Sequence, residues 1–159
     1  MKKFLLSALV SLNGALFCAT PSCIFCDQNL IASEKLYETD NLVVIADCDQ
    51  TREGHVLILP KRHIIRLDQM SAEELRELGP LTKRVADFFA HHLRTEQYQL
   101  IQRNGLDAGQ TIPHVHFHMI PISAKHTPIS AGTDEYARLE KLISDYRTGF
   151  HDLFESTQP

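Results

Sequence analysis

Between residues 112 and 120, His114, His116 and His118 are interleaved with Val115, Phe117 and Met119. Successive side chains of a β-strand point to opposite faces, so this alternation predicts a strand with three imidazoles on one face and an apolar set on the other. Wound as a helix, the same residues would scatter the histidines around the axis, and the β-branched and aromatic residues also favour a strand. Upstream, residues 35–39 and 42–46 read as two short strands joined at the turn dipeptide Asp40-Asn41. After Gly54, residues 55–60 form an apolar run closed by Pro60, the pattern of a buried strand.

Ser71-Ala72-Glu73-Glu74 has the spacing of a capping box and predicts a helix running from there to about Leu93. Leu75, Leu78, Leu81, Val85, Phe88 and Phe89 recur at helical spacing as one apolar stripe, and Gly79-Pro80 predicts a kink. Residues 98–103 give the next strand, Asn104-Gly105 a turn, and residues 106–111 a loop running into the histidine strand. Beyond Pro121 a loop is expected to Thr133, and Tyr136, Leu139, Leu142, Ile143 and Tyr146 then predict a C-terminal helix over 134–146. The sum is an α+β domain: an antiparallel sheet of about five strands, a long helix packed across one face and a helix at the C-terminus.

A chain of 159 residues with 43% hydrophobic content supports one domain with a core of its own. Its net charge of −4 argues against a nucleic-acid binder, although a local cluster of donors can still hold a phosphorylated small molecule. At the N-terminus, Lys2-Lys3 precede the apolar run 4–12 and Ala19, the layout of a secretory signal peptide over residues 1–19. That predicts export, to the periplasm, of a domain spanning 20–159; the alternative is a cytoplasmic chain whose first helix is buried. Asn13 and Gly14 leave the run too short for a stable membrane span.

Three imidazoles on one strand face fit either a metal site or a nucleophilic histidine held by its neighbours. Cys23 and Cys26 form a Cys-x-x-Cys pair, with Cys18 and Cys48 apart from it. In an exported chain the pair can be a disulfide, and beside histidines it can be half of a zinc site.

Gly105, Ala108-Gly109-Gln110-Thr111 and His114-x-His116-x-His118 together resemble the signature of the histidine triad (HIT) family of nucleotide hydrolases and transferases. Asp47, Gly54-His55, Leu59-Pro60-Lys61 and His63 extend the resemblance, which covers about residues 22–121. It implies the HIT-like fold and cleavage at the α-phosphate of a nucleoside phosphoramidate or dinucleoside polyphosphate, with a purine nucleotide as substrate and no catalytic metal. The chemistry agrees, because a neutral imidazole can attack the phosphate to give a nucleotidyl-histidine that water then hydrolyses. By resemblance His116 is the nucleophile, its tautomer fixed by a strand carbonyl. His118 is a donor toward the phosphate or the leaving group, and His55 completes the hydrogen-bonded set. Gly109, Gln110 and Thr111 supply a phosphate-binding loop with backbone and side-chain donors, and Asp47 accepts from the ribose hydroxyls.

Cys23, Cys26, His63 and His114 match the structural zinc ligands of the family's metal-containing bacterial members, and a homodimer is implied by analogy. The chain departs from the family at Arg103, where an amide side chain is usual. Either Asn104 takes that contact or Arg103 reaches the phosphates itself. Two rivals stand beside this reading: a zinc metallohydrolase with the three histidines as ligands, and a non-catalytic nucleotide-binding protein.

Overall fold

The computed structural model describes residues 23–47, 53–122 and 135–155. The expected signal peptide at 1–19, Cys48 and most of the expected loop after Pro121 lie outside the described residues. Five strands form one sheet: β1 (Lys35–Glu38), β2 (Leu42–Ala46), β3 (Val56–Pro60), β4 (Tyr98–Gln102) and β5 (Phe117–Pro121). Their spatial order is β1-β2-β3-β5-β4, with every neighbouring pair antiparallel. Three helices accompany them: α1 (Gln28–Glu34), α2 (Ala72–His92) and α3 (Glu135–Glu155).

Both faces of the sheet centre are covered, which is why β2 and β3 are apolar at nearly every position. On one face Leu42, Val44, Val56, Ile58, Val115, Phe117 and Met119 pack against Leu81, Val85, Phe88 and Phe89 of α2 and Ile143, Tyr146 and Phe150 of α3. On the other, Val43, Ile45, Leu57 and Leu59 lie under Cys23 and Phe25, with Leu30 and Ile31 of α1 alongside. The alternation along the histidine segment thus places its apolar partners in the core as expected. Among the described residues no helix is long and apolar enough to cross a membrane.

The N-terminus of α2 carries the expected capping box: Glu74 N–H donates to Ser71 Oγ at 3.2 Å and Ser71 N–H to Glu74 Oε2 at 2.7 Å. Glu74 is buried and takes a two-pronged contact from Arg62, at 2.7 and 2.8 Å, which ties the segment carrying His63 to the helix. Because Glu74 faces inward, Leu75, one residue and about 100° further round, is 49% exposed and leaves the predicted stripe. The helix continues through Pro80, whose exposed position lets water serve the carbonyl that proline leaves without a partner.

Two boundaries and one element differ from expectation. The ladder of the histidine strand begins at Phe117, not at 112. Pro113 has no N–H to donate, His114 N–H turns back to Ile112 O at 2.8 Å, and Val115 N–H goes to Ile64 O at 2.7 Å, so 112–116 pairs locally before joining the sheet. The last helix runs on to Glu155 because Phe150, stacked on Phe88 at 4.2 Å, extends its buried side by a further turn. Finally, α1 was not expected; Asp27 caps it, its carboxylate accepting from Asn29 N–H at 2.9 Å.

Candidate active site

His116 is buried, and its Nδ1–H donates to the carbonyl of His114 at 2.6 Å. In the neutral ring this leaves Nε2 with a lone pair and no proton. Burial holds the ring's pKa below the usual histidine range, opposed by the His114 carbonyl, so the neutral form is the resting one. The Phe25 ring meets His116 edge-on at 5.2 Å and His118 lies 4.9 Å away on the other side, both measured between ring centroids.

His118 belongs to a row that crosses from β5 to β3 and beyond. Its Nδ1 lies 3.0 Å from His55 Nε2, and His55 Nδ1 lies 3.0 Å from Asp47 Oδ2. Cross-strand register places His118 opposite Leu57, two residues after His55, so both rings rise on one face of the sheet. Burial, followed by the positive potential of His116, His55 and Arg103, pushes the His118 pKa down to about 4. Asp47 therefore holds His55, a partnership the sequence did not reveal.

A separate group surrounds His114. Its Nε2–H donates to Pro60 O at 2.9 Å, which leaves Nδ1 with the lone pair, 3.5 Å from Cys23 Sγ and 3.7 Å from Cys26 Sγ. His63 Nδ1 lies 3.3 Å from Cys26 Sγ, and the four ligand atoms are all within 4.8 Å of one another. The three histidines of the motif do not converge on one point: His114 faces the sulfurs, His116 a carbonyl, and His118 the row to Asp47. Cys23 is a free thiol. The Cys-x-x-Cys pair is thus not bonded within itself.

The substrate loop is built differently from the sequence expectation. Gln110 is 4% exposed, and its side chain is spent inside the protein: Oε1 accepts from Gly105 N–H at 2.7 Å while Nε2 donates to Ile65 O at 2.9 Å and His114 O at 3.3 Å. The amides of Ala108, Gly109 and Gln110 close the turn on Gly105 O and Leu106 O. Asn104 Oδ1 is also occupied, accepting from Leu67 N–H at 3.0 Å and Gln102 Nε2 at 2.9 Å. Arg103 does face the histidines, with Nη1 3.3 Å from His118 Nε2. Thr111 sits exposed on the loop.

Two neighbours escaped the sequence reading. Phe25, between the paired cysteines, packs against both His114 and His116. Glu34, at the end of α1, is pushed up to about 7 by burial and by the negative charge of Asp47. Phe25 occupies an unspecified position of the Cys-x-x-Cys pair, and Glu34 lies in no periodic or spaced motif.

The family model for the HIT domain matches residues 28–125. Among curated relatives, adenosine 5'-monophosphoramidase of Saccharomyces cerevisiae is 39% identical over 102 residues, 63% of this chain and 62% of that protein. The chain thus spans a little under two thirds of that relative's length. The asymmetrical bis(5'-nucleosyl)-tetraphosphatase of Schizosaccharomyces pombe is 30% identical over 133 residues, 81% of this chain and 72% of that protein. A solved structure of a Zn-bound histidine triad family protein from Mycobacterium smegmatis superimposes with a TM-score of 0.68 at 23% identity, covering 85% of this chain and 97% of that one, a likeness of fold alone.

Proposed function

Because the chain belongs to the HIT domain family, we propose that it is a nucleotide hydrolase or transferase acting at the α-phosphate of a nucleoside phosphoramidate or dinucleoside polyphosphate. The observation that carries this reading is the 2.6 Å bond from His116 Nδ1–H to the His114 carbonyl, which fixes the tautomer and leaves Nε2 unprotonated. That nitrogen attacks phosphorus, the leaving group departs, and water releases the nucleotide from the histidine. The names of two relatives, a monophosphoramidase and a dinucleoside tetraphosphatase, support the two substrate types. The test is to quench the protein with detergent at alkaline pH during turnover of labelled substrate, since a phosphorus–nitrogen bond is acid-labile. Label is expected on the native chain and none on His116→Asn, with turnover lost by at least ~10³-fold. Turnover without label, or a variant that still turns over, refutes the nucleophile.

Cys23, Cys26, His63 and His114 are the residues that would hold a structural zinc ion. With zinc–sulfur bonds of about 2.3 Å and zinc–nitrogen bonds of about 2.05 Å, a tetrahedron has sulfur–nitrogen edges of about 3.5 Å. The measured sulfur–nitrogen distances of 3.3, 3.5 and 3.7 Å fit that figure. The Pro60 carbonyl, bonded to the far nitrogen of His114, orients the ring as a metal ligand requires. Four protein ligands leave no open position, so the ion would pin the N-terminal segment to the histidine strand and take no part in the reaction. It would also need the reduced form of Cys26, because the ligand is a thiolate.

The homodimer reading is supported by the outer edge of the sheet. β4 is one of the two terminal strands, and its Tyr98 and Leu100 are 40% and 51% exposed, an apolar edge suited to pairing with a second copy. The reading of residues 1–19 as a signal peptide rests on the sequence; N-terminal sequencing of the native protein should begin at Thr20.

A further inference from the structure

The hydrogen-bond polarity of the row through His118 bears on which leaving group the site accepts. A guanidinium can only donate, so the contact of Arg103 Nη1 with His118 Nε2 at 3.3 Å makes Nε2 the acceptor. In the neutral ring the proton then sits on Nδ1 and is donated to His55 Nε2, and His55 in turn donates its Nδ1–H to Asp47. Every proton in this row points away from Arg103 and toward the Asp47 carboxylate. His118 thus presents a lone pair where the resemblance had suggested a donor. Its Nε2 has no proton to give to a departing group.

Arg103 fills that place with a charge instead. The stem of its side chain lies over the loop glycine, where a Cβ on Gly109 would meet Arg103 Cδ at 3.3 Å and Nε at 3.5 Å. The loop's two amide side chains, Asn104 and Gln110, are held in internal hydrogen bonds. A guanidinium stabilises developing negative charge but does not release its proton near neutral pH. An amine leaves a phosphoramidate only when protonated, whereas a phosphate or polyphosphate leaves an anhydride as an anion and is stabilised by a fixed cation.

Resting on the nucleotidyl-transfer reading above, we infer that Arg103 is a specificity-determining residue that selects phosphoanhydride substrates, with an anionic polyphosphate leaving group, over phosphoramidates. In the first step His116 Nε2 forms a bond to the α-phosphorus. The bond from phosphorus to the bridging oxygen breaks, and its electron pair departs on that oxygen beside the Arg103 guanidinium, with no proton transferred. In the second step Arg103 Nη1, drawn to the departing oxygen, releases His118 Nε2; water attacks phosphorus, its proton passes to that lone pair, and the phosphorus–nitrogen bond breaks with its pair returning to His116. The nucleoside monophosphate leaves, and His118 gives its proton to solvent.

The test compares kcat/KM for diadenosine tetraphosphate and adenosine 5'-phosphoramidate in the full chain, in Arg103→Gln and in Arg103→Lys. The native chain is expected to favour the tetraphosphate at least tenfold. Loss of one charge-assisted contact should lower the tetraphosphate value of Arg103→Gln on the order of 10- to 100-fold and the phosphoramidate value by a smaller factor, so that the ratio of the two values falls several-fold. Arg103→Lys, which keeps the charge without the fork, should recover part of the tetraphosphate rate. A parallel fall on both substrates makes Arg103 a structural residue and overturns the inference, as does an unchanged substrate ratio or a native preference for the phosphoramidate. If the native chain turns over neither substrate and no label forms on His116, the parent reading fails with it. Label on His116 with the wrong ratio sinks the inference alone.

Discussion

Gly54 links the core to the site, and replacing it with alanine tests how tightly the two are joined. Its φ is +89°, and a Cβ there would lie 2.5 Å from Leu93 Cδ1 and 2.9 Å from Pro121 Cγ. Two effects add. Holding an L-residue at positive φ costs about 1–2 kcal/mol. Forcing a methyl against the end of α2 and the proline ring that closes β5 costs about a further 1–3 kcal/mol. Gly54→Ala should therefore lose about 2–5 kcal/mol in urea unfolding, less the few tenths to 1 kcal/mol that alanine returns by restricting the unfolded chain. A double-mutant cycle separates the two effects, because Leu93→Ala removes the nearer obstacle but leaves φ unchanged. The loss should shrink by at least about 1 kcal/mol in that background. Turnover should fall as well, since His55 follows Gly54 directly and its 3.0 Å contact with Asp47 depends on that backbone. Equal losses in both backgrounds, or a loss below about 1 kcal/mol, would refute the close-packing argument.

Three further outcomes are expected. Protein prepared with a thiol reductant should bind one zinc ion per chain by atomic absorption, and disulfide-oxidised protein or Cys23→Ser should bind markedly less; equal zinc in oxidised and reduced protein would remove Cys26 from the ligand set. His118, held at about 4 in the fold, is neutral there while the unfolded chain protonates it near 6.5, so its contribution is intact above pH 6.5 and lost as pH falls through about 4. Between pH 6.5 and 5 the native chain should lose about 1.5 kcal/mol more than His118→Gln, measured by urea unfolding at each pH. At the sheet edge, Leu100→Lys should shift sedimentation toward the monomer with little change in the melting temperature of the fold, and an unaltered dimer would place the interface elsewhere.

What the sequence conveyed about this fold follows from what side-chain periodicity encodes. Alternation fixes which face a residue joins, and Val115, Phe117 and Met119 do enter the core while the histidines turn from it. It does not fix where hydrogen bonding starts, which is why the strand was drawn five residues too early across Pro113. Helical spacing found the buried side of α2 but not its first turn, where the Arg62 contact with Glu74 outweighs the apolar preference of Leu75. The capping box, a purely local signal, appeared at the expected residue. Short α1 has too few residues to show a period.

The site shows the same division more sharply. Motif spacing named residues that the fold brings together: His114 approaches both cysteines, His63 approaches Cys26, and His55 meets His118 although sixty-three positions separate them. Spacing carries no information about which nitrogen bears a proton, because that depends on carbonyls and charges brought in by other strands. Pro60 O decides the tautomer of His114, the His114 carbonyl decides that of His116, and Arg103 decides that of His118. Each assignment passes from a group without choice, a carbonyl that only accepts or a guanidinium that only donates, to a ring that can do either. The two obligate groups beside these rings act in opposite senses: the carbonyl holds the proton of His116 on Nδ1 and so bares Nε2, and the guanidinium occupies the lone pair of His118 Nε2. Attack on phosphorus and later deprotonation of water both require a bare nitrogen, so a site arranged this way is supplied with bases and has a fixed cation, not an acid, for the group that leaves.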